Sequence, residues 1–199
     1  LNQQAEGYDA NKLACEHVLQ KQLPDKYLVI RPGLITGPFD ITYRVNYWIE
    51  RFKRGGTVTS FRGPEVPTQW IDARDLCEWS LDMAVRGKTG VFNMAGPKEA
   101  CNAGQFYDYC NHAAKTAIDV VYLPPEFVDT LTDEEWHLGG VLGIGGQQYD
   151  AFNRVKNSTA INKGLTFREP CLTFKDTYEW AESYKHSYSH EVLGFPEFQ

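Results

Sequence analysis

Residues 27–38 combine an unbroken apolar run with a turn rich in glycine and proline, and they read Tyr27-Leu28-Val29-Ile30-Arg31-Pro32-Gly33-Leu34-Ile35-Thr36-Gly37-Pro38. The run at 27–30 has no polar alternation, which is typical of a strand buried on both faces in a parallel sheet. A second run of this kind at 90–95 ends at Gly96-Pro97. We therefore predict two central parallel strands, at 27–31 and 91–95.

Segments with a helical spacing of apolar residues flank both strands. They predict helices at 8–20, 43–54, 73–85, 104–115 and 174–184. Asp72 is the expected N-cap of the third helix, Gly55-Gly56 suits a left-handed end of the second, and Ser158 is predicted to cap a short helix that ends at Gly164. Strands that alternate with helices indicate an α/β protein with a parallel sheet. Because two central strands do not make a doubly wound sheet, the chain forms either an unusual small sheet or the latter part of a larger fold.

The composition excludes several classes of protein. Of the 199 residues, 42% are hydrophobic and 23% are charged, which is typical of a folded globular chain. The net charge of −6 disfavours nucleic acid as a partner. No apolar run reaches the roughly 20 residues of a membrane span, and no signal peptide is recognised.

Five widely spaced cysteines favour reduced thiols, so we expect a cytoplasmic protein without a membrane partner. His186 and His190 share the i, i+4 spacing, but no nearby acidic residue completes a zinc set with them, so no metal site is predicted.

Tyr8 and Lys12 form a possible catalytic pair. Four residues apart on a helix, their side chains lie one turn apart on the same face. A free phenol has a pKa near 10, and bringing such a pKa to about 7 takes roughly 4 kcal/mol, which a nearby ammonium group helps to supply. A phenol so activated can exchange a proton with a substrate oxygen. The alternative interpretation is an ordinary solvent-facing pair on a helix.

Five blocks in order along the chain resemble the extended short-chain dehydrogenase/reductase superfamily, in its NAD-dependent epimerase/dehydratase branch. The matching blocks are 8–16, 28–38, 69–76, 91–96 and 158–170. The resemblance implies a partial Rossmann-like (doubly wound) parallel sheet with a small α+β substrate-binding lobe. It assigns residues 1–35 and 70–96 to the Rossmann-derived part and residues 36–69 and 97–185 to the substrate-binding part of a single incomplete unit, with a tail at 186–199.

The resemblance also implies a site for NAD or NADP and a small-molecule substrate. Tyr8 is expected to be the catalytic acid or base, and Lys12 to assist it and hold the nicotinamide ribose. Beside the nicotinamide we expect Pro32, Gly33 and Leu34. The substrate cleft is expected to be lined by Thr36, Asn46, Trp48 and Gln69, although tryptophans on apolar helix faces, Trp48 among them, are most simply core residues. Glu16 is expected to steady the helix surface.

The chain departs from the family pattern in two ways. The glycine-rich strand–helix unit that holds the dinucleotide pyrophosphate is not recognised, since Gly140, Gly143 and Gly146 fit GxxGxxG without a strand beside them. We therefore expect weak or no cofactor binding and no activity from this chain alone, with a non-enzymatic binding or regulatory module as the alternative. Thr68-Gln69 stands where nucleotide-sugar enzymes carry an arginine, so a reductase acting on another carbonyl or alcohol is at least as good an interpretation.

A partial sheet has consequences for association. The strand at 27–31 is expected to expose an unpaired edge, and exposed apolar edges recruit other strands. We therefore expect a homo-oligomer or strand exchange at this edge.

Overall fold

The computed structural model describes residues 7–60, 63–128, 130 and 152–184. The glycine motif at Gly140, Gly143 and Gly146 and the tail histidines His186 and His190 lie outside the described residues. Helices and strands follow one another in the order α1 (Tyr8–Gln22), β1 (Leu28–Pro32), β2 (Leu34–Thr36), α2 (Arg44–Lys53), β3 (Val58–Ser60), β4 (Pro67–Asp72), α3 (Ala73–Val85), β5 (Gly90–Met94), β6 (Gly96–Asn102), α4 (Ala103–Ala114), β7 (Val120–Tyr122), α5 (Pro125–Val128), α6 (Ser158–Ile161) and α7 (Pro170–Ser183). A short 3-10 turn, Phe152–Arg154, precedes α6.

Parallel pairing dominates the sheets. β1 pairs with β5 in parallel, with Leu28 opposite Gly90 and Pro32 opposite Met94. β4 lies between β2, which is parallel to it, and β6, which is antiparallel. β3 pairs in parallel with β7. These pairings confirm the predicted α/β class, and β1 and β5 are the two parallel strands that the apolar runs predict.

Two apolar clusters hold the elements together. In the first, α2, β4, α4 and α7 meet around Trp70, Phe106 and Phe174, and the rings of Phe106 and Phe174 are 5.1 Å apart. In the second, Trp79 of α3 packs on Phe92 of β5, with ring centres 5.2 Å apart. Full burial of each such side chain contributes about 1.5–3 kcal/mol to folding. The loops between these elements are therefore carried by a rigid framework.

The helix ends are where sequence and structure differ. The short helix α6 starts at Ser158 itself, with Asn157 in the cap position, and it ends at Ile161 rather than Gly164. The prediction of Ser158 as the cap was wrong by one residue. α7 starts four residues earlier than predicted, because Pro170 occupies its first turn, where proline is tolerated. Asp72 caps α3 as predicted, accepting a hydrogen bond from the Arg74 backbone N–H at 2.8 Å.

α1 is exposed along most of its length. None of its side chains is buried, and the apolar side chains of Leu13 and Leu19 are 48% and 39% exposed. Its spacing predicted the helix correctly, but the apolar positions face no core in the described part of the chain. None of the helices in the described ranges is both long and apolar enough to cross a bilayer.

Candidate functional site

A cleft of about 990 Å³ lies between α1 and the carboxyl ends of β1 and β2. Sites at the carboxyl ends of parallel strands are the general rule in α/β proteins, and this volume is at the upper end of small-molecule pockets. The structure brings most of the expected site residues to this one cleft. Those that line it are Tyr8, Lys12, Pro32, Gly33, Leu34, Thr36 and Gln69.

Tyr8 and Lys12 lie on the same face of α1. The Lys12 Nζ atom is 5.4 Å from the centre of the Tyr8 ring, and both side chains line the cleft opposite Pro32 and Gly33. The Tyr8 side chain is 74% exposed, so a ligand can reach the phenol directly from the cleft. A phenol beside an ammonium group can give a proton to a bound oxygen or take one from it.

Glu16 and Arg31 join α1 to β1 at the edge of the cleft. The Arg31 Nε atom donates to Glu16 Oε1 at 2.9 Å, and Nη2 donates to Oε2 at 2.5 Å. The hydrogen bond from Arg31 lowers the pKa of Glu16. Because the two bonds are parallel, they fix both the distance and the orientation of the helix relative to the strand. Glu16 thus has a structural contact that fits its expected role on the helix surface.

Gln69 lies in the cleft wall, but its amide is used within the protein. Its Nε2 atom donates to the Val155 carbonyl at 3.0 Å, and its Oε1 atom accepts from the Val155 N–H at 3.1 Å. These two bonds fix the segment that follows the 3-10 turn against β4. The geometry therefore favours a positioning role for Gln69 over direct contact through its amide.

Asn46 and Trp48 are not brought to the cleft. Both belong to α2, where Asn46 is fully buried and Trp48 is 4% exposed. The Trp48 ring packs on Tyr107 of α4, with ring centres 5.0 Å apart. The ring contact with Tyr107 agrees with the core interpretation of Trp48, and Asn46, two positions earlier on α2, is buried without lining the cleft.

Asp40, Arg44 and Asn153 are among the cleft residues that the sequence analysis did not single out. Asp40 lies in the loop between β2 and α2, and Arg44 is the first residue of α2. Asn153 belongs to the 3-10 turn. Burial raises the pKa of Asp40, although hydrogen bonds from Thr42 and the charge of Arg44 act against the rise. An aspartate soon after the glycine turn at 37 was the available signal for Asp40. Asn153 had none, because it is distant in the sequence and enters the cleft only through the fold.

Comparison with known proteins supports the fold. No protein-family model matches the chain, and no curated protein matches it. Solved structures do match. UDP-glucose 4-epimerase from Thermotoga maritima, solved with UDP-glucose, has a TM-score of 0.61 at 18% identity, covering 90% of this chain and 52% of that one. RMD from Pseudomonas aeruginosa, complexed with NADPH, has a TM-score of 0.58 at 15% identity, covering 87% and 54%. dTDP-glucose 4,6-dehydratase from Bacillus anthracis, in complex with NAD, has a TM-score of 0.59 at 14% identity, covering 92% and 52%.

One of these neighbours is an epimerase and one is a dehydratase, and two of the three contain NADPH or NAD, which agrees with the class of protein that the sequence resemblance implied. At such low identity the likeness shows the fold. The chain spans about half the length of the solved structures it matches, consistent with the carboxyl-terminal portion of that fold.

Proposed function

We propose that this chain supplies the proton-transfer pair and the substrate cleft of an NAD(P)-dependent epimerase, dehydratase or reductase of the short-chain dehydrogenase/reductase superfamily. The observation that carries the proposal is the position of Tyr8 and Lys12 on one helix face, across a single cleft from the Pro32-Gly33 turn. The fold and the cofactors of the neighbours, NADPH and NAD, support it.

The residues present fit the nicotinamide end of such a cofactor. The Lys12 ammonium group has the donors that ribose hydroxyls accept, and the backbone at 32–34 can lie beside a flat ring. When bound, the nicotinamide takes or supplies a hydride. Tyr8 would then move the proton at the substrate oxygen, with the Lys12 ammonium group beside its ring.

In this proposal the chain does not hold a whole dinucleotide by itself. The pyrophosphate of a dinucleotide normally rests on a glycine-rich turn and a helix N-terminus, and no such unit is found among the described residues.

We place the protein in the cytoplasm, where its free cysteines stay reduced. A binding module on the same scaffold is the alternative function, and it predicts substrate binding without any nicotinamide contact.

A fragment titration tests the proposal. We expect NAD, NADH, NADP and NADPH to bind the chain more weakly than about 1 mM by calorimetry, because the pyrophosphate contacts supply much of the affinity. Reduced nicotinamide mononucleotide at tens of millimolar should still shift the amide NMR signals of Lys12 and Gly33. Lys12→Met should abolish these shifts, and Lys175→Met, on the exposed side of α7, should leave them unchanged. The absence of cleft shifts in the wild-type chain would refute the nicotinamide role.

A further inference from the structure

A second groove, of about 560 Å³, lies between α4 and β7 and shares no lining residue with the cleft that contains Tyr8. One wall is a single face of α4, formed by Gly104, Tyr107, Asp108 and Asn111. The other wall is formed by the consecutive residues 117–120 and by Tyr122. Because neighbouring side chains of an extended chain point in opposite directions, the main chain itself forms part of this second wall. The groove therefore runs along the chain that leads into β7.

β7 is an edge strand in the described part of the chain. It pairs in parallel with β3 on one side, with Ser60 opposite Tyr122, and no described strand pairs with its other side. The Leu123 N–H, directly after β7, donates to the Ser60 carbonyl at 2.9 Å. Since the backbone groups of successive residues in a strand point to opposite edges, those of Val120 and Tyr122 point away from β3. β7 therefore offers main-chain donors and acceptors with which a further strand can pair.

Asn111 shows that this open edge faces α4. Its Nδ2 atom donates to the Ile118 carbonyl at 2.8 Å, and its Oδ1 atom accepts from the Ile118 N–H at 3.1 Å. Ile118 is two residues before Val120, so the backbone groups of both residues point to the same edge. The Asn111 amide pairs with this edge as a strand would, and the groove begins where that pairing ends.

The groove is formed before a ligand arrives. The Asn111 bonds fix the chain at 118 against α4, and the β3 pairing fixes β7 on its other side. Tyr107 is 3% exposed and its hydroxyl donates to Ser60 Oγ at 2.9 Å, while its ring centre lies 6.4 Å from that of Tyr122. A preformed site costs less free energy to order on binding.

The charge of the groove selects the partner. Asp108 and Asp119 line it, both exposed, and neither forms an ion pair with another described residue. No lysine or arginine is among the lining residues. Burial raises the pKa of Tyr122, and the charges of Asp108 and Glu65 raise it further. Lysine or arginine side chains complement these carboxylates and can also lie over the Tyr122 ring. A second copy of this chain, with a net charge of −6, is a poorer complement.

The length of the groove fits a short extended segment. From Gly104 to Asn111 the helix rises about 10 Å, and three residues of a strand cover about the same distance. The side chains of an added strand alternate in direction, so every second one can face α4 and reach Asp108.

We propose that the groove between α4 and β7 binds an extended, basic peptide segment of a partner protein, which adds to the open edge of β7 as a further strand. Main-chain hydrogen bonds to Val120 and Tyr122 supply affinity, and Asp108 and Asp119 select segments that carry lysine or arginine over acidic ones. This binding involves neither Tyr8 nor a nicotinamide, so it stands or fails independently of the proposed function.

Matched synthetic peptides test the proposal. The first probe is the end-blocked, fluorescently labelled hexapeptide Thr-Lys-Val-Lys-Val-Thr, and the second has glutamate in place of both lysines. Two further probes keep the lysines and carry backbone N-methyl groups, either on both lysines or on both valines. By fluorescence anisotropy we expect the first peptide to bind the full chain with a Kd below about 1 mM and the glutamate peptide to bind at least about tenfold more weakly.

The N-methylated peptides test the main-chain pairing. In a bound strand the N–H groups of alternate residues face β7, and those of the residues between them face away. One of the two N-methylated peptides should therefore bind about tenfold more weakly than the other, although both have the same charge. Amide NMR shifts caused by the unmodified peptide should be confined to residues 104–111 and 117–123.

Charge variants of the protein test the position of the peptide. Asp108→Asn combined with Asp119→Asn should weaken binding of the lysine peptide about threefold or more, because it removes two exposed charge contacts. Both side chains are exposed, so this variant should fold as the wild type does. Asp82→Asn combined with Glu179→Gln removes the same charge from exposed pairs on α3 and α7 and should leave binding unchanged.

Several outcomes overturn the proposal. Equal binding of the lysine and glutamate peptides, or no binding of either, removes the basic partner. Two N-methylated peptides that bind as well as the unmodified one, with spermidine competing equally, show a site for small cations without strand addition. A lower mass of the Asp108→Asn, Asp119→Asn variant than of the wild type in light scattering shows that a second copy occupies the groove instead.

Discussion

Asn46 is fully buried in α2, and neither its Oδ1 nor its Nδ2 atom has a hydrogen-bond partner. Asn111 of α4, in contrast, has hydrogen-bond partners at both ends of its amide. Its Nδ2 atom donates to the Ile118 carbonyl at 2.8 Å, and its Oδ1 atom accepts from the Thr116 hydroxyl at 2.8 Å and from the Ile118 N–H at 3.1 Å. Two asparagines in neighbouring helices therefore differ in whether the cost of burying the amide is offset by hydrogen bonds.

Asn46→Leu should stabilise the protein by about 1 kcal/mol, because it removes an unpaired amide and keeps the number of side-chain heavy atoms. Asn111→Leu should destabilise it by about 1–3 kcal/mol, since it leaves the partners of Asn111 unpaired. Urea unfolding followed by circular dichroism measures both changes. If Asn46→Leu destabilises the protein as much as Asn111→Leu does, the Asn46 amide has a hydrogen-bond partner within the protein and its burial is compensated.

The contribution of Asp72 to folding stability is expected to depend on pH. Burial acts to raise its pKa, but hydrogen bonds from Arg74 and from the Thr173 hydroxyl, at 2.7 Å, outweigh burial and hold the pKa below its ordinary value. A carboxyl group whose pKa is lower in the folded state stabilises the fold above its unfolded pKa of about 4, and this stability is lost as the pH falls through the folded value. Asp72→Asn should therefore cost about 1–3 kcal/mol at pH 7 and progressively less below pH 4.

Unfolding titrations from pH 7 to pH 3 measure the difference between Asp72→Asn and the wild type. Asp176→Asn is the matched control, because Asp176 binds the same Arg74 side chain from α7 but caps no helix and has less burial. If the difference in unfolding free energy between Asp72→Asn and the wild type stays constant from pH 7 to pH 3, the pKa of Asp72 is not lowered by folding.

The sequence predicted one part of the cleft and missed another for a clear physical reason. Tyr8, Lys12 and the Pro32-Gly33 turn belong to contiguous motifs, so their chemistry is visible in local spacing. Thr36 and Gln69 were expected through the resemblance, and both line the cleft. Asn153 reaches the cleft because Gln69 binds the backbone of Val155, and no local pattern encodes such a long-range contact.

At the scale of elements, α1 depends on few contacts. It buries no side chain, so packing contributes little to holding it, and the Glu16–Arg31 pair is its charged link to β1. Because the helix carries Tyr8 and Lys12, its orientation determines how the pair faces Gly33. The pair of bonds therefore links two elements, whereas an ion pair between neighbours on one helix joins residues of the same element.

Glu16→Gln should loosen α1 without unfolding the protein. We expect hydrogen exchange of the α1 backbone amides to accelerate about two- to fivefold, the range expected for loss of up to 1 kcal/mol. Glu179→Gln is the control, because Glu179 pairs with Lys175 within α7 and joins no two elements. Equal exchange rates in α1 of Glu16→Gln and the wild type would show that the link to β1 does not hold the helix.

Helix boundaries show what local patterns can predict. The start of α3 was correct because Asp72 is a good capping residue that directly follows the buried positions Trp70 and Ile71 at the end of β4. At α6, Asn157 and Ser158 are both good capping residues, and the sequence does not rank them. The first turn of α7 was missed because the sequence analysis placed the start of the helix at Phe174, whereas Pro170 occupies the first helical position, where proline is tolerated.

For the whole molecule, β1 and α1 together form a surface that lacks a cover in the described part of the chain. β1 is paired with β5 along one edge, and no described strand pairs with its other edge. α1 adds Leu13, Val18 and Leu19, each at least 39% exposed. A sequence can indicate such a surface, because a strand that is apolar on both faces implies neighbours, but it does not say whether another copy or another segment supplies them.

We predict that the isolated chain self-associates through this surface of β1 and α1. An open strand edge recruits other strands, and exposed apolar side chains such as the leucines of α1 favour contact with a partner surface. Light scattering should therefore show a mass above that of one chain, rising with concentration.

Leu13→Lys combined with Leu19→Lys should shift the chain toward the monomer, because charge on α1 opposes burial of this surface. Leu81→Lys combined with Val85→Lys places the same charges on α3, at side chains that are 67% and 87% exposed, and should leave association unchanged. A monomer at high concentration in the wild-type chain, or equal effects of the two double variants, would show that β1 and α1 do not form the interface.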